Sequence, residues 1–274
     1  MRDLVRAGSR WRAAAAVLEV ALVASACGAA SSKSAPTGPD RAASKVVLDS
    51  VQLTASEKSA RVVMTLSTSG ASGSSSGLVD FSTGDGQMDF RVRTAAASMT
   101  DFVLRTVNGV VYVRLPATVA RRLGTPPGVR WLWIATSSIG TAPSAIPGAG
   151  EGDPNQLLAS LERVSNNVTT VGTDQVRGVT STHYHALVDF EKAIDKAKVP
   201  AGLRKSLNDA FAKASPNARS VPVDVWVDGN GLVRRVTVRI GANAVTVDYF
   251  DFGVPVNLEA PPDNSVAPLD AYGG

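Results

Sequence analysis

The sequence predicts an α+β domain: one long, curved antiparallel β-sheet with helices segregated to one face. Three observations lead there. Apolar and polar residues alternate with period two in several runs, as from Arg61 to Leu66 and from Leu232 to Ile240. Asp85-Gly86, Asn108-Gly109 and Asn230-Gly231 stand between such runs, and these pairs tolerate the positive φ of tight hairpins. Three amphipathic stretches at helical spacing fall between the earlier and later runs, and each needs an apolar surface to lie on.

The chain opens with the three parts of a secretory signal over residues 1–26. Arg2, Arg6, Arg10 and Arg12 form its basic start, Ala13 to Ala26 its apolar run, and Ala24-Ser25-Ala26 its small-residue cleavage site. Cys27 follows directly, as in a bacterial lipobox, where the thiol accepts a diacylglyceryl group and cleavage makes the cysteine the mature N-terminus. Glu19 interrupts the apolar run, and Ala24 stands where a larger aliphatic residue is usual. The run is shorter than the roughly 20 apolar residues of a membrane span, which favours a cleaved signal over an anchor. Cys27 is the only cysteine, so no disulfide is expected and its thiol is assigned to lipidation. Acyl chains contribute about 0.8 kcal/mol per buried CH2. The expected location is the extracytoplasmic face of the cell membrane, held there through lipidated Cys27.

Residues 28–40, rich in Ser, Ala, Pro and Gly, read as a disordered tether. One domain is expected over 41–259, and 260–274 as a flexible C-terminal tail. The net charge is +4; four arginines and two acids leave with residues 1–26, so the remainder carries +2. That balance, with no aromatic-rich basic stretch, gives no reason to expect a nucleic-acid partner.

Within the domain a helix is expected from Arg41 to Leu53, then strands at Arg61–Leu66, Leu78–Ser82, Gln87–Arg93 and Asp101–Thr106. Val62, Met64 and Leu66 share one face, as do Phe90 and Val92, with Asp89, Arg91 and Arg93 opposite. From Leu115 to Gly152 the pattern loosens, apart from a strand-like Val129–Ile134, and 136–152 reads as a long loop. Helices are expected from Asp153, with Leu157, Leu158, Leu161 and Val164 on one face, near Asp189, with Phe190, Ala193, Ile194 and Ala197, and from Pro200, with Leu203, Leu207, Ala210 and Phe211. Strands at Val179–Val188, Val221–Asp228, Leu232–Ile240 and Ala244–Phe252 close the domain; Val236, Val238 and Ile240 face away from Arg235, Thr237 and Arg239.

Signals of catalysis are poor. His183 and His185 share a strand face but lack a third His or Cys ligand, so they read as ordinary strand residues; no metal, cofactor or catalytic residue is assigned. No G-x-S-x-G, H-E-x-x-H or P-loop appears. A polar pocket gathering His183 or His185 with a carboxylate is the observation that would revive an enzyme reading.

Val171-Gly172, Val176-Arg177-Gly178-Val179-Thr180 and Tyr184-His185-Ala186-Leu187-Val188-Asp189 resemble a segment of the actinobacterial lipoproteins of the LppX/LprG type. So does Val223-Asp224-Val225-Trp226-Val227-Asp228 with Gly231-Leu232-Val233-Arg234-Arg235, and the resemblance spans roughly 41–255. It implies a LolA-like fold: a half-barrel sheet with helices covering the concave face and an apolar cavity between them for acyl chains of lipids or glycolipids. It implies no shared catalytic residues.

Strand parity nominates Met64, Leu66, Phe90, Val92, Phe102, Leu104, Val236, Val238 and Ile240 as cavity positions. The expected function is a membrane-anchored envelope lipoprotein that binds or carries acyl lipid or glycolipid, with an envelope transporter as a further partner. The alternative is an interaction or regulatory module of the same fold with a filled core and no lipid cargo.

Overall fold

The computed structural model describes residues 41–68, 70–94, 97–135, 168–189, 209, 212 and 220–272. The signal, Cys27, the tether, the 136–152 loop and the cavity-covering helices lie outside these residues, except that Asp209 and Ala212 are helical. Among the described residues no helix is long and apolar enough to cross a membrane.

Twelve strands form one sheet among the described residues. They are β1 (Ser59–Ser67), β2 (Ala71–Asp80), β3 (Gly86–Thr94), β4 (Ala97–Val107), β5 (Val110–Arg114) and β6 (Trp131–Ala135), then β7 (Val168–Val176), β8 (Val179–Asp189), β9 (Ser220–Asp228), β10 (Val233–Ile240), β11 (Asn243–Phe250) and β12 (Val266–Pro268). The spatial order is β12-β6-β5-β4-β3-β2-β1-β11-β10-β9-β8-β7. Two meanders thus run outward from a central β1–β11 pair, and only β12 pairs parallel. The antiparallel meander expected for the first half is present, and the expected α+β class takes the form of a large, mainly antiparallel sheet.

Cross-strand register divides the sheet into an inner and an outer face. Opposite residues share a face, so Met64 lines up with Ser75, Phe90 and Phe102 on one side and with Val247 and Val236 on the other. The inner face carries the main core, in which Val62, Val233, Val236 and Tyr249 are fully buried.

The sheet curls toward this apolar face at β2–β3. A Cβ added to Gly77 would meet the carbonyl oxygen of Gln87 and the Sδ of Met88, and one added to Gly73 would meet the oxygen of Arg91. Both would point inward, so β3 folds over the inner side of β2. Glycine is required because only a bare Cα permits that approach. Strand β2 reaches back through Ala71-Ser72-Gly73-Ser74-Ser75-Ser76-Gly77, well before the expected start at Leu78.

Helix α1 (Arg41–Ser56) extends past the expected end at Leu53. It buries Ala43, Val47, Val51 and Thr54 at helical spacing, against β7, β9 and β10. Its buried hydroxyls are satisfied: Ser50 donates to the Val47 carbonyl at 2.7 Å and Thr54 to that of Ser50 at 2.6 Å. Thr54 Oγ1 also accepts the Val233 N–H at 2.8 Å, at a β-bulge where the β9–β10 register shifts. A second, short helix, α2 (Ala117–Arg122), links β5 to β6.

One turn expectation differs in detail. The β2–β3 turn is not made by Asp85-Gly86, since Gly86 already begins β3; Gly84 takes the positive φ, and Asp80 Oδ1 accepts the N–H groups of Ser82 and Thr83. Asn108 and Gly109 do both adopt positive φ, as the β4–β5 hairpin requires.

The flexible tail expected over 260–274 is corrected for its described part. After β11 the chain crosses the outer face, where Glu259 O accepts Arg105 Nη1 at 2.9 Å. It then adds β12 beside β6, with Val266 opposite Trp131. Ala267 and Leu269 bury against Leu132 in a second core. Apolar burial and strand pairing outweigh the proline-rich composition there.

Candidate functional site

The inner face is the candidate site. Its nine nominated residues all lie on it, because no bulge intervenes between them in the register. Phe90 and Phe102 stack with ring centroids 4.7 Å apart and planes 3° from parallel. Met64, Phe90, Phe102 and Val236 are buried. Leu66, Val92, Leu104, Val238 and Ile240 are only half-buried while packed against the same core.

Burial therefore varies along the strands. The row through Val62, Tyr249 and Met88 is closed until it reaches the half-buried Leu104 opposite Met88, and the row through Leu66, Val92, Val238 and Val245 is partly open. The open row lies toward the β1–β2 and β10–β11 turns, and it forms an apolar rim. Such a rim costs free energy when left to water.

A groove of about 480 Å³ opens along β2–β5, lined by the outer-face residues Ser74, Ser76, Asp89, Arg91, Asp101 and Arg114, with Ser75, Phe90 and Phe102 also in its wall. Arg91 and Asp101 form an exposed ion pair there at 3.4 Å. Its walls mix charged side chains with apolar ones, whereas acyl chains call for few polar groups, so we place the candidate site on the inner face.

The outer face also carries a network that sequence spacing did not disclose. His183 Nε2 and His185 Nδ1 lie 3.1 and 2.9 Å from the same oxygen of Asp224. The other oxygen of Asp224 accepts from Arg239. His183 stacks on Trp226 at 4.2 Å, and the Trp226 indole donates to Asp174 at 2.8 Å. Arg235 forms a two-pronged pair with Asp248 at 2.6 and 2.8 Å. Burial opposes the charge of Asp224, but hydrogen bonds from His183 and His185 and the charges of His185 and Arg239 outweigh it and hold its carboxyl at about 2.

A carboxylate is thus present beside the two histidines. Both of its oxygens are occupied by the imidazoles and Arg239, and the nearby hydroxyls of Thr237 and Thr246 bond each other at 2.9 Å. Among the described residues no group of His, Cys, Asp or Glu has the geometry of a metal site. The row ties β8, β9 and β10 together across the outer face. The sequence signal for it was the placement of polar Asp224 and Trp226 in a strand whose other face is valine.

No protein-family model matches the chain. A Streptomyces griseus protein, described as an uncharacterized 31.2 kDa protein in the rplA-rplJ intergenic region, is 33% identical over 113 residues, or 39% of this chain. The match spans 36% of that relative's length. LprF from Mycobacterium bovis is similar in structure, with a TM-score of 0.52 and 16% identity over 82% of this chain and 99% of LprF. The lipoprotein LppX from Mycobacterium tuberculosis gives a TM-score of 0.48 and 17% identity, over 80% of this chain and all of LppX. The LprF likeness shows the fold: the chain has the LppX/LprG-type architecture.

Proposed function

We propose that the protein is a membrane-anchored envelope lipoprotein that binds or carries acyl lipid or glycolipid in an apolar cavity, without catalysis. The observation that carries the reading is the mainly apolar inner face, from Phe102 through Met64 to Ile240, with its half-buried rim at one end. A filled core gains by closing such a rim; a binding surface keeps it open for a ligand. The helix stretches from Asp153, near Asp189 and from Pro200 form the cover of the cavity in this reading. Cys27 is the acylated anchor, and residues 28–40 hold the domain off the bilayer.

Native mass spectrometry of the full chain purified from its own host tests the reading. Co-purifying lipid, or uptake of added phospholipid, is expected. Absence of both would leave the filled interaction module as the better description.

A further inference from the structure

Ser75 lies at the centre of the inner face, opposite Met64 on β1 and Phe90 on β3. It is 4% exposed, and its Oγ has no hydrogen-bond partner. Among the described residues it is the only buried side-chain polar atom so left. Its same-face neighbours on β2 are Gly73 and Gly77, so the hydroxyl stands alone on a strip without side chains. Ridges flank that strip, with Met64 and Leu66 on one side and Met88, Phe90 and Val92 on the other.

A buried, unpaired hydroxyl is destabilising, and alanine would fill nearly the same volume without that cost. A hydroxyl can donate or accept, and a small, uncharged acceptor is one group that would satisfy it. Arg91 and Arg114 of the neighbouring groove sit at outer-face positions, while the inner-face side chains in register with Ser75 are Met64, Phe90 and Phe102, which offer a phosphate or carboxylate no countercharge. An ester carbonyl is such an acceptor and accompanies acyl chains into apolar surroundings.

We propose that Ser75 donates a hydrogen bond to the ester carbonyl of an acyl lipid on the inner face, and so selects ester-linked over ether-linked chains. This assignment rests on the reading of that face as a lipid-binding surface. Ser75 lies one side-chain row inward of the half-buried rim, since Gly73 pairs with Leu66. The carbonyl then sits just inside the rim.

The test is competition between dipalmitoyl phosphatidylglycerol and its dihexadecyl ether analogue for the full chain, read as a bound ratio by native mass spectrometry. The two lipids differ only in the carbonyls. The parent chain is expected to favour the ester roughly fivefold, the worth of one net hydrogen bond. Ser75→Ala brings the ratio to one, and Ser76→Ala, on the outer face, keeps the parent ratio. Ser75→Ala loses an unpartnered hydroxyl, so its melting temperature should not fall. A ratio of one in the parent, or the parent ratio retained in Ser75→Ala, overturns the assignment. A lower melting temperature in Ser75→Ala with an unchanged ratio also overturns it, and points to a structural water. If the parent binds neither lipid, the carrier reading fails and this assignment with it.

Discussion

Gly77 lies so close beneath β3 that a Cβ added to it would sit 1.8 Å from the carbonyl oxygen of Gln87. The obstructing atom is backbone held in a ladder, so it cannot swing aside like the end of a side chain. Gly77→Ala is expected to destabilise the domain by about 3 kcal/mol, at the upper end of overpacking costs. Gly70, with open space around it and no positive φ, is the control; Gly70→Ala should change stability by less than about 0.5 kcal/mol. Urea unfolding curves check both, and a Gly77→Ala midpoint equal to the parent's would contradict the close approach.

Asp224 makes folding sensitive to acid. Its side chain is only 9% exposed, and its carboxyl is held at about 2, below the ordinary 3.8. A depressed folded-state value adds stability that is fully present above the unfolded value. That stability is lost as pH falls through the folded value. The loss should amount to about 2 kcal/mol between roughly pH 4 and pH 2. Asp224→Asn should flatten the slope in that window, which stability measured at successive pH values would detect. An unchanged slope would mean that another carboxylate dominates.

Core and rim residues on the inner face should respond differently. Val236 is fully buried, and Val236→Ala should cost about 2 kcal/mol of stability. Leu66 and Ile240 are half-buried, so alanine there should cost about 1 kcal/mol or less. The same rim substitutions should lower lipid uptake roughly fivefold each, because they remove apolar contact area. Equal uptake by all three variants and the parent would dissociate the rim from binding.

Cys27→Ala should move the protein from the membrane fraction to the soluble fraction after cell lysis. Mass analysis of the parent should show the added acyl mass on Cys27. A variant that still sediments with membranes would remove lipidation as the anchor.

The face assignments were legible in the sequence because parity is robust where strands are regular. The bulges fall near Val92 to Thr94, Thr170 to Gly172 and Val233 to Arg235, and none inverts a nominated residue. Strand β2 was less legible. Its Ser/Gly start has poor β-propensity, and it is a strand because β1 and β3 pair with it on both sides. Strand β7 shows the same problem at a sheet edge, where Thr169, Thr170, Asp174 and Gln175 give no apolar alternation. The pairing of Asp224 with His183 and His185 joins residues about 40 positions apart. It becomes visible only once the β8–β9 register is known.

The late position of β12 bears on how the chain is made. Until Val266–Pro268 have been synthesised, β6 has no partner on its far side. An unpaired edge is a template for another chain, and slow, long-range pairing prolongs that interval. A product ending before Val266 would therefore do more than lose a peripheral segment. It would present a permanent sticky border, and self-association rather than simple instability should mark it.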